Sequence, residues 1–303
     1  MGILSLPFAL MLLAAAAPGE GTALQQELPM EEKAFRRVLL ERDVSILEQA
    51  CLDPMIATSS RRKQALRNRL LVLNPVPETL ESVLIQANAL LSCGSPDTAA
   101  KVLNRYSPAA GQERRLWMLM RWQAAAAALD HRQAALALRR LVDGDLIALG
   151  LITLIEERNA LDQLAEHEAA QGRMLVAAEL ILQAPLEGVP GARRLSRAAE
   201  WLAVSDIDEA DRLLETALDQ AAASEAWGLA MELLQLQLQL QLAAGWDGER
   251  ARQRMVRLAA RLDDRFSLRQ LQPEAEIDGD LRSPREPGGH AAVGDPTTAP
   301  LLP

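Results

Sequence analysis

The side chains that most often perform acid–base chemistry are few in this sequence and widely spaced. The three histidines are His131, His167 and His290. Catalysis needs titratable groups held in a pocket within hydrogen-bond reach of one another. The HExxH, GxSxG and glycine-rich phosphate-loop signatures are all missing from the sequence. The sequence therefore predicts no catalytic residue and no bound cofactor.

Two clusters contain residue types that bind metal ions. Glu166, His167 and Glu168 are consecutive, and neighbouring residues of a helix point in different directions, so they cannot hold one ion together. The second cluster stands where a helix should begin, and acidic groups there interact favourably with the helix dipole. Its members are Asp206, Asp208, Glu209 and Asp211. We therefore predict no metal site.

One dense basic patch has two interpretations. It either docks an acidic or phosphate-rich partner, or it is the solvated side of an amphipathic helix. The chain has a formal net charge of −9, and no aromatic residue is interleaved for base stacking. Both features argue against nucleic acid and favour a protein partner. The patch consists of Arg61, Arg62, Lys63, Arg67 and Arg69.

The composition predicts an all-α protein. The 303 residues are 49% hydrophobic, 24% charged and 3% aromatic. Leu and Ala dominate, whereas the aromatic residues that favour strands are scarce. Glycine and proline fall mostly between apolar-periodic stretches of normal helix length, separated by short breaks. Short breaks place consecutive helices antiparallel.

The ends of the chain differ from its centre. Residues 1–23 hold an apolar run followed by small residues, which resembles a cleaved export signal without its basic start. The alternative is an apolar segment packed on the first helix. Residues 272–303 are rich in Pro and Gly and predict a disordered tail. Between them, residues 27–271 form the predicted folded domain. We expect an exported protein if the signal is real, and otherwise a cytoplasmic one, with no transmembrane helix in the mature chain.

Cys51 and Cys93 are the only cysteines, and neither belongs to a CxxC motif. In an exported protein they could pair, whereas in the cytoplasm they would be small buried apolar groups. Two cysteines in a chain of this length do not make a disulfide framework, which favours the unpaired alternative.

A repeating pattern runs through the centre of the chain. A small or turn residue is followed five residues later by Ala, then four later by a large apolar residue, and three later by another apolar one. The turn residues include Gly94, Leu129, Gly172 and Ser205. Seven residues before three of them stand Ala87, Ala165 and Ala198. The anchoring alanines are separated by 35, 43, 33 and 41 residues, and a further one, Ala65, lies 34 residues before the first. They are Ala99, Ala134, Ala177, Ala210 and Ala251.

This pattern resembles the tetratricopeptide repeat, a helix pair of about 34 residues. The segment 191–222 is the closest match, and the resemblance covers residues 60–265. It implies antiparallel helix pairs stacked as an α-solenoid, in which small residues let the helices approach and large ones fill the groove between them. The longer steps leave room for another helical-repeat family, and an ordinary Ala/Leu-rich helical bundle is the alternative.

The stretch from Leu234 to Leu242 alternates Leu and Gln with the period of a half-buried strand. Both residue types favour helix, and the surrounding sequence is helical, so we predict a helix. Leu234, Leu238 and Leu242 would then share one face, with Leu236 and Leu240 on nearly the opposite one.

The resemblance further implies that the first helix of each pair lines a concave groove that binds a protein segment. The groove would mix apolar, uncharged polar and acidic groups, which suits an apolar or mildly basic segment. The candidate groove residues are Leu84, Asn88, Leu91, Leu119, Gln123, Ala126, Asp162, Glu166, Leu195, Ala199 and Leu202. The alternative is that several of these positions belong to the core.

These observations lead to one functional hypothesis and two alternatives. We expect a non-enzymatic helical-repeat scaffold that mediates protein–protein interaction, in assembly of an envelope or membrane-associated complex. The alternatives are a small-molecule or lipid-binding helical protein and an enzyme whose site shows no familiar motif.

Overall fold

The structure is a computed structural model, and it describes residues 32–154 and 159–271. The prediction of an all-α fold is confirmed for these residues, which form sixteen helices and no strand. A single antiparallel bridge joins Thr153 and Asn159. The helices are α1 (Glu32–Val38), α2 (Val44–Leu52), α3 (Pro54–Ala57), α4 (Ser60–Val72), α5 (Leu80–Ser92), α6 (Pro96–Leu103), α7 (Gln112–Ala127), α8 (His131–Leu141), α9 (Leu146–Gly150), α10 (Ala160–Ala169), α11 (Met174–Ile181), α12 (Gly188–Leu202), α13 (Ile207–Ala223), α14 (Trp227–Ala243), α15 (Glu249–Arg261) and α16 (Arg265–Leu271).

Helix contacts are mostly local in sequence. The largest contacts join consecutive helices, as in α5 with α6, α7 with α8, α10 with α11 and α12 with α13. Further contacts join next-but-one helices, including α5 with α7 and α8 with α10. The described helices thus bury their apolar faces mainly against near neighbours along the chain.

The hydrophobic core consists of three clusters that follow one another along the chain. The first extends from Phe35 to Ala124, the second from Met118 to Trp201, and the third from Ala192 to Met255. Helices α7 and α12 contribute to two clusters each, and they connect the interior from one end of the described chain to the other.

The residues that define the repeating pattern are buried. All five anchoring alanines are 0% exposed, and so are the alanines seven positions before the turn residue, Ala87, Ala165 and Ala198. In α6, α8, α11 and α13 the anchoring alanine is the fourth residue of its helix. The large residue four positions later is buried in every copy, as Leu103, Leu138, Ile181, Leu214 and Met255.

The Leu/Gln stretch is part of helix α14, as predicted. The predicted arrangement of its faces is only partly right, because Leu234 is buried whereas Leu242 is 49% exposed. Gln237 and Gln241 are buried instead, at 1% and 5% exposure. Both amides donate to Asp211 Oδ1, at 2.8 and 2.7 Å, and Gln237 also donates to Glu215 at 2.7 Å. Burial of an amide is tolerated when the amide has hydrogen-bond partners. Asp211 and Glu215 of α13 provide them, so the two glutamines face α13 and not the solvent.

Cys51 and Cys93 form a disulfide, with their Cα atoms 5.0 Å apart. The unpaired alternative favoured by the sequence is therefore wrong for this structure. Leu47 of α2 and Leu90 of α5 are fully buried in the same cluster, so packing of the two helices brings the cysteines together. This proximity arises between residues 42 positions apart, and the sequence alone does not show it.

Two predictions concern residues outside the described part of the chain. They are the export-like segment 1–23 and the disordered tail 272–303. Within the described residues, none of the helices combines the length and apolarity needed to cross a membrane.

Candidate protein-binding groove

A groove lies between helices α12 and α14, with a cavity of about 370 Å³. These two helices are not consecutive, since α13 separates them in the chain. The side chains that line the groove are Arg193, Ser196, Arg197, Glu200, Leu229, Glu232, Leu233, Gln235, Leu236 and Gln239. None of the residues predicted for a groove on α12, Leu195, Ala199 and Leu202, is among them.

The groove has an apolar floor and a polar rim. Leu229 and Leu233 are buried at 8% and 2% exposure, and they form the floor with the half-buried Leu236. Gln235 and Gln239 follow one helical turn apart on α14, and both are exposed. Their amide groups are available to a ligand, because within residues 32–154 and 159–271 neither side chain forms a hydrogen bond. An amide offers both donors and an acceptor to a peptide backbone.

Arg197 forms one wall of the groove and connects α12 to α10. Its guanidinium donates to both carboxylate oxygens of Glu166, Nε to Oε1 at 2.8 Å and a terminal nitrogen to Oε2 at 2.9 Å. It also pairs with Glu200 and lies 5.1 Å from the centre of the Trp201 ring. The hydrogen bonds with Glu166 raise the pKa of Arg197 above its ordinary value, despite burial. Two-point pairing of this kind fixes the orientation of the guanidinium plane.

A second ion pair joins the same two helices one turn earlier. Arg194 donates to Asp162 through Nε at 2.8 Å and through a terminal nitrogen at 3.0 Å. It also donates to the carbonyl oxygen of Pro185 at 2.8 Å. Asp162 and Glu166 were predicted as acidic groove residues, and the structure places both in ion pairs within the chain. Their charges are therefore already balanced by arginines of α12.

The other residues predicted for the groove are buried, partly buried or exposed. Leu195 and Ala199 are 2% and 0% exposed, so their side chains belong to the core and are not available to a partner. This corrects their assignment, and the reason is that α12 packs this face against α13. Asn88 is exposed, and its amide donates to Glu48 at 2.8 Å. The partly buried positions are Leu84, Leu91, Leu119, Gln123, Ala126 and Leu202.

Two histidines that are far apart in sequence come together in the structure. Nδ1 of His131, in the first turn of α8, lies 3.1 Å from Nδ1 of His167 in α10. Trp122 Nε1 donates to His167 Nε2 at 3.1 Å, and Gln171 donates to the His167 carbonyl at 2.8 Å. The histidines are 36 residues apart, close to one repeat step. They occupy different positions of the repeat, three residues before Ala134 and ten before Ala177, so the repeating pattern does not pair them.

Burial governs the protonation of this histidine cluster. His167 is 7% exposed, and burial lowers its pKa to about 4, with a smaller contribution from His131; Glu166 and Glu168 act in the opposite direction. In the described part of the chain, neither imidazole bonds to a hydroxyl, thiol or carboxylate side chain. A histidine that acts as the base for a Ser, Thr or Cys nucleophile needs that hydroxyl or thiol within hydrogen-bond reach. The cluster connects α7, α8 and α10.

The basic patch is largely used inside the protein. Arg67 donates to the carbonyl oxygens of Cys93 and Gly94, at the end of α5. Arg69 donates to the carbonyl of Glu41, just after α1, at 2.9 Å, and Arg62 pairs with Glu32. Arginines near helix C-termini satisfy unpaired carbonyl groups there. Arg67 and Arg69 are therefore engaged at helix ends, and Arg62 is engaged in an ion pair within the chain.

Comparison with models of known protein families finds no match, and comparison with curated proteins finds no similar one either.

Proposed function

We propose that this protein is a non-enzymatic helical-repeat scaffold that binds a segment of another protein in the groove between α12 and α14. The observation that carries the proposal is the composition of this groove. Its floor is apolar, its rim holds amide groups that bond to no other described residue, and its cavity of about 370 Å³ accommodates a few side chains. Grooves that bind peptides combine apolar pockets with polar groups that fix orientation.

The proposal includes the arrangement of the helices as tetratricopeptide-like antiparallel pairs stacked into an α-solenoid. Burial of the anchoring alanines, and their recurrence at the fourth residue of four helices, support this arrangement. Ion pairs between next-but-one helices support it as well. One joins α10 to α12 through Glu166 and Arg197, and another joins α13 to α15 through Glu215 and Arg254 at 2.7 Å. Repeat proteins stack neighbouring units in this way.

The charges on the groove suggest the chemistry of its partner. Arg193 on α12 and Glu232 on α14 are both exposed, and neither forms an ion pair within the described residues. A segment that places an acidic group near Arg193 and a basic group near Glu232 would complement both walls. Apolar side chains between these groups would cover Leu229 and Leu236. Charged groups at such a rim contribute more to specificity than to affinity.

We also propose that the protein acts outside the cytoplasm, in assembly of an envelope or membrane-associated complex. The disulfide between Cys51 and Cys93 supports this location, because disulfides persist in oxidising compartments. The export-like composition of residues 1–23 agrees with it.

A pull-down from the native host tests the proposed binding groove. The bait is the full chain, compared with Gln239→Arg, which places a bulky charge on the rim at an exposed position. The control variant is Leu175→Arg, at a 53% exposed position of α11 that does not line the groove. Circular dichroism verifies that all three proteins are folded.

We expect a recurrent protein that the wild type and Leu175→Arg capture equally and that Gln239→Arg loses. Equal capture by all three would place the binding site elsewhere. A small molecule extracted from the wild type, with no recurrent protein, would replace the scaffold proposal with a ligand-binding one.

A further inference from the structure

Arg121 of helix α7 is half-buried, and no described residue pairs with its charge. Its guanidinium lies 4.7 Å from the centre of the Trp117 ring, a cation–π contact that fixes its orientation. Within residues 32–154 and 159–271, its side chain forms no hydrogen bond and no ion pair. A desolvated guanidinium without an acceptor is unfavourable, so this arrangement needs an explanation.

The other half-buried arginines show how unusual this is. Each donates to a carboxylate or to a backbone carbonyl oxygen, and the chain has an excess of acidic residues to supply such partners. These arginines are Arg62, Arg67, Arg69, Arg105, Arg139, Arg194, Arg197, Arg252 and Arg254. In the described chain, Arg121 is therefore the exception among half-buried arginines.

A second unpaired arginine faces the same pocket. Arg140, near the end of α8, lines it with Arg121, Gln133 and Met118, and Arg140 forms no ion pair among the described residues. Burial lowers the pKa of Arg121, and the charge of Arg140 lowers it further. Two like charges beside one another repel, and an anion between them would relieve that repulsion. No carboxylate side chain lines the pocket to provide it.

The pocket is small, with a volume of about 10 Å³. This is room for about one water-sized atom. A ligand would therefore insert a single oxygen and leave the rest of its atoms outside. The Gln133 amide is an additional donor at the rim, while Ala137 and Met118 exclude water from one side.

We propose that Arg121 and Arg140 form a binding site for an oxyanion, one oxygen of which enters the pocket between α7 and α8. Guanidinium groups present several donors in a planar fork that matches carboxylate and phosphate oxygens. The anion belongs to a phosphate compound or to an acidic side chain of a protein. This site lies apart from the α12–α14 groove and does not depend on the function proposed for it.

Thermal unfolding of the full chain tests the site and separates the two sources. Inorganic phosphate is one probe and N-acetylglutamate amide, with its single carboxylate, is the other, each compared with chloride at matched ionic strength. We expect one probe to raise the unfolding temperature by about 3 °C when it is roughly tenfold above its dissociation constant. The probe that does so identifies the source of the anion.

Two variants make the result specific to this pocket. Arg140→Gln changes an exposed residue of the site, and we expect it to abolish the shift without loss of helical structure. Arg132→Gln, an exposed arginine of α8 that does not line the pocket, should keep the whole shift. The proposal is overturned if neither probe stabilises more than chloride, if Arg140→Gln keeps the shift, or if both variants lose it equally.

Discussion

The indole nitrogen of Trp122 donates a hydrogen bond to Nε2 of His167 at 3.1 Å. Indole N–H is only a donor, so Nε2 of His167 must accept and cannot carry a proton. The proton of the neutral imidazole is then on Nδ1, from which it can be donated to Nδ1 of His131, 3.1 Å away. If Nε2 were protonated, its N–H would face the N–H of Trp122, and the hydrogen bond between α7 and α10 would be lost. The cluster is therefore stable only while His167 is neutral.

Stability should consequently fall on mild acidification. The folded pKa of His167 is lowered to about 4, mainly by burial, against an unfolded value of about 6.5. Its contribution is complete above the unfolded pKa and is lost as pH falls towards 4. We expect a loss of about 1 kcal/mol in unfolding free energy from about pH 7.5 to about pH 5, after allowance for partial solvation. Urea unfolding at both pH values measures it.

Two variants identify His167 as the source of that loss. His167→Gln keeps a hydrogen-bond acceptor without a titrating ring, so its stability should depend less on pH over the same interval. His290→Gln, in the tail outside the described residues, should behave like the wild type. An unchanged pH dependence in His167→Gln would show that other groups control it.

Leu129 has an unfavourable backbone conformation that glycine would relieve. Its φ is +57°, in the left-handed region, and its side chain is 73% exposed. In the repeating pattern it occupies the turn position held by Gly94 and Gly172, with φ of +65° and +78°. Leu129→Gly should raise the unfolding free energy by up to about 1 kcal/mol, because strain relief exceeds the entropy cost of glycine. Thermal or urea unfolding measures the change.

The reverse substitution is the control for the Leu129 prediction. At Gly172 an added Cβ would meet no atom within 4 Å, so Gly172→Ala tests backbone strain alone. It should destabilise the protein by about 1 kcal/mol. Stabilisation by Gly172→Ala, or destabilisation by Leu129→Gly, would contradict the assigned turn conformation.

Glu168 is a buried carboxylate held between two arginines. Its side chain is 2% exposed; Arg139 donates to it at 2.9 Å, and Arg173 pairs with its other oxygen. Loss of the charge leaves both guanidinium groups without an anion, although they are partly solvated. We expect Glu168→Gln to lower the unfolding free energy by about 2 kcal/mol, measured by urea unfolding at neutral pH.

An exposed ion pair provides the comparison for Glu168. Asp263 is 83% exposed and lies 3.4 Å from Arg265. Asp263→Asn should change stability by less than about 0.5 kcal/mol, because water screens such pairs. Asn also tolerates the positive φ of this residue, +53°. If Glu168→Gln and Asp263→Asn lowered the unfolding free energy equally, burial of Glu168 would not be the cause of its effect.

The disulfide should stabilise the N-terminal part of the described chain. Cys51 and Cys93 are 42 residues apart, and a crosslink over such a loop is worth about 4 kcal/mol in the chain-entropy model. Reductant should lower the unfolding temperature of the wild type and leave a Cys51→Ala, Cys93→Ala double variant unaffected. Intact mass after alkylation under denaturing conditions shows whether the thiols were paired. Two alkylated thiols in protein exported by its host would contradict the disulfide.

Local features of the sequence predicted the helices and much of the interior. Ala99, Ala134 and Ala177 were chosen for their spacing alone, and all are fully buried. The Leu/Gln stretch was predicted as helix from residue propensities, and it is helical. Such predictions succeed because helical hydrogen bonds and apolar periodicity involve residues three or four positions apart. The candidate groove was predicted less well, because Leu195 and Ala199 share the helical spacing of exposed positions and yet lie in the core.

The sequence by itself determined the helical class, the approximate helix positions and the alanines where helices approach closely. Only the tertiary structure decided which distant side chains meet. Glu166 bonds to Arg197, His131 meets His167, and Arg121 finds no acceptor among the residues that the structure describes. The physical reason is the distance along the chain over which the interactions act, since backbone conformation is set by residues within one or two helical turns. Charged and polar partners are chosen instead by the rotation and offset of whole helices, which depend on packing across the core.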